Sequence, residues 1–210
     1  LVTGGTRGVG AATALAFAEA GASVALVARR LDDTAEATRS AVARLGNPCV
    51  LLQGDLSQPE TVTRCVEQTV AQLGAVDVLV HSAGGPRPGG LFEITPADWY
   101  GAFEIHVHAI FHLCRAALPH MQKRGEGSII LISSSAGKRA LRSNIAYQVV
   151  KGALPQFTRA LAFEFASSNV RVNCVAPGVI RTDFHATMPP EVKRLNLESR
   201  IPLKREGSPG

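Results

Sequence analysis

Thr3-Gly4-Gly5-Thr6-Arg7-Gly8-Val9-Gly10 decides the fold of this chain. The stretch stands directly after the apolar Leu1–Thr3 and directly before residues 9–20, which show helical periodicity. Glycines at such a junction permit a tight turn and let the backbone approach a pyrophosphate. The helix beyond offers unpaired N–H groups and the positive end of its dipole. Glycine-rich turns are common on their own, and it is the strand before and the helix after that make this one a phosphate-binding pattern.

Outward from this loop, strand-like runs alternate with helix-like segments. Leu1–Thr3, Ser23–Ala28, Cys49–Gln53, Val76–His81, Ser128–Ser133 and Val170–Val175 are rich in Val, Ile and Leu on both faces, as covered parallel strands are. Between them, 9–20, 33–45, 59–73, 96–123 and 144–167 have helical spacing. The alternation predicts a Rossmann-type, doubly wound α/β sheet in three α/β/α layers, as a single domain over residues 1–210. The opening at Leu1 and the Pro/Gly-rich end read as a fragment, truncated at both ends and lacking the last strand of the sheet. Ser57 before Pro59, and Thr95 before Pro96, read as helix N-caps. Gly46, Gly74 and Gly125 read as left-handed helix ends. Pro155 falls inside 144–167, where it removes a donor and crowds the Lys151 carbonyl, so a bend or widened turn is expected there.

Composition narrows the function classes. With 46% hydrophobic and 19% charged residues, the chain is a folded globular protein, and no apolar run reaches membrane-spanning length. The net charge of +5 and a pI near 9.3 come from scattered basic residues without the stripe of a nucleic-acid surface. Cys49, Cys65, Cys114 and Cys174 have no metal or disulfide spacing, which suits a reducing cytoplasm. Ala28 ends the second strand where an NAD site wants a carboxylate, and Arg29 and Arg30 follow it. Arginines there suit a 2′-phosphate, with Arg7 as a second cation, so NADP(H) is expected over NAD(H). The alternative, plain surface charge, stays open.

Tyr147 and Lys151 are four apart and share a helix face. A phenol is a poor base at neutral pH, and a nearby ammonium is expected to lower its pKa toward a working range. Ser134, thirteen residues earlier, can hydrogen-bond a substrate oxygen as charge develops on it.

Together with Asp55-Leu56, His81-Ser82-Ala83-Gly84, Tyr147-Gln148-Val149-Val150-Lys151 and Arg171-Val172-Asn173-Cys174-Val175-Ala176-Pro177-Gly178, this order closely resembles the short-chain dehydrogenase/reductase family. The similarity spans the whole chain and lies in the compact branch that includes 3-oxoacyl-acyl-carrier-protein reductases. It implies hydride transfer between NADP(H) and a carbonyl or alcohol substrate, with Ser134, Tyr147 and Lys151 catalytic. It implies a cofactor site of Gly4, Thr6, Arg7, Gly8, Val9, Gly10, Arg29, Arg30, Asp55, Leu56, Ser82, Ala83, Gly84, Pro177, Gly178, Ile180 and Thr182. By the same resemblance Tyr147 and Lys151 border the cofactor, and Lys151 binds the nicotinamide ribose. A homotetramer or homodimer through helices 96–123 and 144–167 is implied, with no metal, nucleic-acid or membrane partner.

Two positions depart from the family pattern. His81-Ser82 stands for the usual Asn-Asn, and His106 stands where an asparagine completes a catalytic tetrad. His106 reads either as a proton-relay member, since imidazole titrates near neutrality, or as a packed core histidine. Glu104, His108 and His112 have metal-ligand spacing on one helix face, but an oligomer interface explains them better. Residues 183–203 read as a lid, with Phe184, His185, Met188 and Leu195 toward substrate and Leu141 and Arg142 on the opposite wall. The substrate stays open among ketones: a 3-oxoacyl thioester, quinone, sugar or steroid. A non-catalytic NADP-binding protein of the same fold is the alternative function.

Overall fold

A computed structural model describes residues 1–186 and 188–210. Six parallel strands form one sheet: β1 (Val2–Thr3), β2 (Val24–Ala28), β3 (Cys49–Gln53), β4 (Val78–His81), β5 (Gly127–Ile132) and β6 (Val170–Val175). Their order is β3-β2-β1-β4-β5-β6. The chain runs outward from β1 to β3, then crosses back to β4 beside β1. The crevice over the carboxyl ends of β1 and β4 is therefore the topological switch point, where open α/β sheets place ligands.

All five residues of β2 are buried, which is why its sequence shows no polar alternation. Ala25 and Val27 face a core shared with Leu79, Ile129 and Leu131. Val24 and Leu26 face the other layer with Val2 and Val80. The first core is covered by α3 (Pro59–Leu73), α5 (Ala109–Arg124) and α6 (Ile145–Glu164), the second by α1 (Gly8–Glu19) and α2 (Asp33–Ala43). Thr95 caps α4 (Pro96–Phe103) by accepting from the Asp98 N–H at 3.1 Å. Gly74 and Gly125 end α3 and α5 in the left-handed region, whereas α2 ends on Arg44, two residues before Gly46. A short helix, α7 (Pro190–Leu195), follows the sheet.

Three local expectations change. Gln58, not Ser57, is the N-cap of α3, because the Ser57 hydroxyl and N–H both donate to Asp55 Oδ1, at 2.8 and 3.0 Å. The segment expected as one helix over 96–123 contains a wide π turn, Glu104–His108, between α4 and α5. Conversely, no widened turn marks Pro155, and α6 runs through it as uninterrupted α-helix. The carbonyl of Lys151, left without its helical donor, accepts the Ser133 hydroxyl at 2.7 Å. A tertiary hydrogen bond thus pairs the carbonyl that the proline leaves without a donor.

Candidate active site

The glycine loop packs on itself closely enough to exclude any side chain. A Cβ on Gly10 would lie 2.1 Å from the Gly4 carbonyl oxygen. The loop leads into the first turn of α1, whose N–H groups at Gly8, Val9 and Gly10 have no helical acceptor. Thr6 is buried, and its carbonyl is tied to α2 by the Thr38 hydroxyl at 3.0 Å. Thr182 lies over Gly8, with its Cγ2 3.2 Å from where a Cβ would stand, so the segment after β6 meets the glycine loop. From the β4 side, the Ser82 N–H donates to the Thr3 carbonyl at 3.1 Å, which brings Ala83 and Gly84 alongside.

Arg29 and Arg30 are exposed just past Ala28. Arg7, expected as a second phosphate cation, is half exposed, forms an ion pair with Asp32, the N-cap of α2, and lies 4.0 Å from Asp183. Two hydrogen bonds from Ser57, helped by the Arg29 charge, hold the Asp55 carboxyl below its usual range. Leu56 is buried in the core, which leaves only its backbone to border an adenine.

Ser134, Tyr147 and Lys151 converge beyond the ends of β5 and β6. Ser134 caps a short turn, Ser135–Gly137, by accepting the Ala136 N–H at 3.1 Å, which keeps its own proton available. The turn is pinned by a bond from the Ser135 N–H to the Pro177 carbonyl at 2.8 Å. Tyr147 and Lys151 sit one turn apart on α6, and the lysine Nζ lies 5.7 Å from the phenol ring centroid. Lys151 is buried and donates to the Ile132 carbonyl at 2.7 Å. Burial pushes its ammonium down to about 8.

Tyr147 corrects a sequence expectation. Burial holds its phenol above the ordinary value, and the nearby Ser134 hydroxyl only partly offsets this. In this arrangement the phenol is neutral, not a preformed phenolate.

His106 lies in the π turn, 1% exposed. Its Nε2 bonds the Gly85 carbonyl at 3.1 Å, and its ring stands edge-on to Tyr147 at 5.7 Å between centroids. Burial first, then the Lys151 charge, pushes the imidazole down to about 2. It is uncharged near neutrality and keeps one ring proton, and its burial and the bond to Gly85 fit the packed, hydrogen-bonded reading of His106. His81, singled out in the sequence only as a departure, shares these surroundings: it is buried at the end of β4 and pushed down to about 3 by burial and Lys151.

A family model of short chain dehydrogenases matches residues 1–193. The chain belongs to the short-chain dehydrogenase family. It is 33% identical over 212 residues to the 7α-hydroxysteroid dehydrogenase of Escherichia coli, covering all of this chain and 81% of that protein. It is 32% identical over 209 residues to a 3-oxoacyl-(acyl-carrier-protein) reductase of Chlamydia muridarum, covering 100% and 84%. The crystal structure of L-sorbose reductase from Gluconobacter frateurii with NADPH and L-sorbose superimposes with a TM-score of 0.89 at 31% identity, covering 99% of this chain and 83% of that one. The family consists of oxidoreductases that bind a nicotinamide cofactor and act on small molecules.

The walls of this short-chain dehydrogenase's site are also defined. Phe184 packs on Tyr147, 5.8 Å between ring centroids. His185 turns back to the Ile180 carbonyl at 3.1 Å, and the Met188 sulfur lies 3.4 Å from Asn196 Nδ2. Leu195 lines a separate shallow cavity with Val192 and Glu198. Of the four expected lid contacts, Phe184 is the one packed on Tyr147. Opposite, Gln148 donates to the Leu141 carbonyl at 2.7 Å and accepts the Leu141 N–H at 2.6 Å, which straps the 141–144 segment to α6, while Arg142 is exposed. Ile180 bridges to Gly207, and Gly178 is exposed beside Pro177. Glu104 and His108 pair at 3.2 Å while His112 packs edge-on to Phe111. Among the described residues, no three His, Cys, Asp or Glu side chains cluster as a metal site needs.

Proposed function

We propose that this short-chain dehydrogenase is an NADP(H)-dependent reductase that moves a hydride between the nicotinamide and a carbonyl or secondary-alcohol carbon. The convergence of the Ser134 hydroxyl, Tyr147 phenol and Lys151 ammonium carries this reading. The dinucleotide fits the residues present, since the loop is a cradle that a single Cβ at Gly10 would fill. Gly4–Gly10, Asp55, the Leu56 backbone, Ser82–Gly84 and Pro177–Thr182 would hold it. Ala28, Arg29 and Arg30 at its 2′ position, together with the NADPH in the L-sorbose reductase structure, favour NADP(H) over NAD(H). When bound, NADPH supplies the hydride.

The protein's part follows from the geometry. Ser134 accepts the Ala136 N–H and so aims its own proton at the substrate oxygen. The phenol, held neutral by burial, gives its proton to that oxygen as negative charge develops on it. Lys151, positive below about 8, faces the phenolate left behind and stabilises it. Phe184 covers the phenol and limits water. Steroid, acyl and sugar activities among the relatives leave the substrate at the level of ketones, with the 3-oxoacyl thioester as one candidate.

The helical face beside the site supports oligomerisation. A groove of about 450 Å³ between α5 and α6 is lined by Phe111, Leu118, Phe157, Leu161 and Phe165, and we place a homodimer or homotetramer contact there. No helix among the described residues is long and apolar enough to cross a membrane, and the four free cysteines suit a reducing cytoplasm.

The test is NADPH oxidation against a panel of ketones, with Tyr147→Phe beside the parent. The variant should bind NADPH normally and lose at least ~10²-fold in kcat. Tight NADPH binding with no turnover of any ketone would favour the non-catalytic alternative.

A further inference from the structure

The two positions that depart from the family pattern meet in space. His81 ends β4 and hydrogen-bonds through Nε2 to the Ile105 carbonyl at 3.1 Å. His106, the next residue after Ile105, hydrogen-bonds through Nε2 to the Gly85 carbonyl at 3.1 Å, in the loop that follows His81. We propose that His81 and His106 form one reciprocal lock, each imidazole holding a carbonyl of the segment that carries the other, and that this lock positions Tyr147. The proposal deepens the reductase reading and rests on it for its kinetic consequences.

The chemistry of the partners fixes both tautomers. A carbonyl only accepts, so each Nε2 carries the proton. His81 Nδ1 is then a lone pair, and the Thr3 hydroxyl donates to it at 2.9 Å. The Thr3 oxygen in turn receives the Ala83 N–H at 3.4 Å. β1, β4, the loop after β4 and the π turn are thereby joined through one directed chain of donors.

The π turn itself is explained by this chain. The Ala109 N–H donates to the Glu104 carbonyl, five residues back, instead of to Ile105. The Ile105 carbonyl is therefore freed from its α-helical partner, and His81 takes it. Space enforces the same arrangement. Gly84 has φ of +145°, and a Cβ there would lie 2.1 Å from His106 Cε1 and 2.6 Å from its Nδ1. The Nδ1 lone pair is buried without a donor, and a proton on it would point at Gly84 with nothing to accept it. Burial first, then the nearby Lys151 charge, keeps both histidines neutral, and Arg87 adds to this at His106. The edge of the locked His106 ring then meets Tyr147. A core filler would require none of these opposed, directed bonds.

The test uses the full chain with NADPH and its best ketone. Gln places its amide Nε2 where the imidazole Nε2 stands, so His81→Gln should keep kcat within about threefold. His81→Leu and His106→Leu should each lose about tenfold or more in kcat, with KM for NADPH within about threefold. The double Leu variant should be no worse than the poorer single one. Losses that multiply, or a Gln variant as damaged as Leu, would overturn the lock.

Nuclear magnetic resonance of the parent decides it independently of turnover. Both imidazoles should show Nε2-bound protons and bare Nδ1 from pH 8 to 5, and titration of either near its ordinary value would overturn the proposal. The chain has two tyrosines, so the Tyr147 ring carbon signal is readily assigned. It should shift in His81→Leu and stay in His81→Gln. If no ketone is reduced, or Tyr147→Phe keeps full activity, the reductase reading fails while these signals still judge the lock.

Discussion

Replacing Ser133 by Ala should destabilise the protein by an amount that depends on a proline twenty-two residues away. Ser133 is buried, and its hydroxyl donates to the Lys151 carbonyl at 2.7 Å. Pro155 has no N–H, so that carbonyl lacks its usual helical donor, and the hydroxyl is its replacement. Removing the hydroxyl leaves a buried carbonyl unpaired, at a cost of ~1–3 kcal/mol. Gly137 packs so tightly that a Cβ on it would lie 2.6 Å from the Lys151 carbonyl, which leaves little room for the helix to relax. Pro155→Ala restores the missing N–H, so in that background Ser133→Ala should cost less than ~1 kcal/mol. Urea unfolding of the parent, both single variants and the double variant measures the cycle. An equal cost of Ser133→Ala in both backgrounds would refute the compensation and leave the uninterrupted α-helix past Pro155 without a cause.

Three further outcomes are expected. His81 and His106 sit at about 3 and about 2 in the folded protein against 6.5 for a solvated imidazole. Their stabilisation is therefore whole above the unfolded value and drains as pH falls below it, by ~2 kcal/mol each between pH 7 and 5. Urea unfolding at the two pH values should show this ~4 kcal/mol change, and a difference under ~1 kcal/mol would contradict the burial of both rings. Lys151, held at about 8, loses its charge before the phenol does as pH rises. The kcat/KM for ketone reduction should accordingly fall above about 8, and a flat profile through pH 9.5 would argue against its role. Gly84→Ala drives a Cβ to 2.1 Å from His106, whereas at Gly85 the nearest atom is 3.7 Å away on a flexible arginine. The first variant should lose more than ~3 kcal/mol and the second under ~1 kcal/mol by thermal or urea unfolding.

The inner strands were legible because they are covered and their apolar runs are nearly uninterrupted, as in β2, whereas the edge strand β6 reads from alternation, with Val170 and Val172 buried and Arg171 and Asn173 exposed. Cys49–Gln53 and Val170–Val175 agree with the sequence reading to the residue. The candidate trio of Ser134, Tyr147 and Lys151 was legible because its members lie at fixed spacing on one helix and one strand end. The misreadings share a different cause. Periodicity reports which face of an element is apolar, but it is silent on where one buried carbonyl finds its donor. The Ser133 hydroxyl that spares α6 comes from eighteen residues before Lys151, and the His81 imidazole at the π turn from twenty-four before Ile105. Ser57 resembles a cap in sequence, yet Asp55 takes its hydroxyl. The sign of the Tyr147 shift likewise depends on burial, which the four-residue spacing to Lys151 does not contain.

These two exceptions obey one rule. α6 and the π turn each carry site residues, and each contains a carbonyl without its ordinary helical donor. In both cases a side chain at the carboxyl end of a sheet strand supplies the bond, Ser133 after β5 and His81 in β4. Helix packing alone would fix the site residues through non-directional contact, which tolerates sliding. A hydrogen bond to a single buried carbonyl does not tolerate it, because a small displacement leaves the group unpaired. Tyr147 and Lys151 are thus registered to β5 through the Lys151 backbone, and His106 is registered to β4 through its neighbour. Since β4 and β5 are adjacent and paired from Val78 to His81, the two registrations are not independent. An error in either one reaches the phenol, which ties the histidine pair and Ser133 to the geometry of the site.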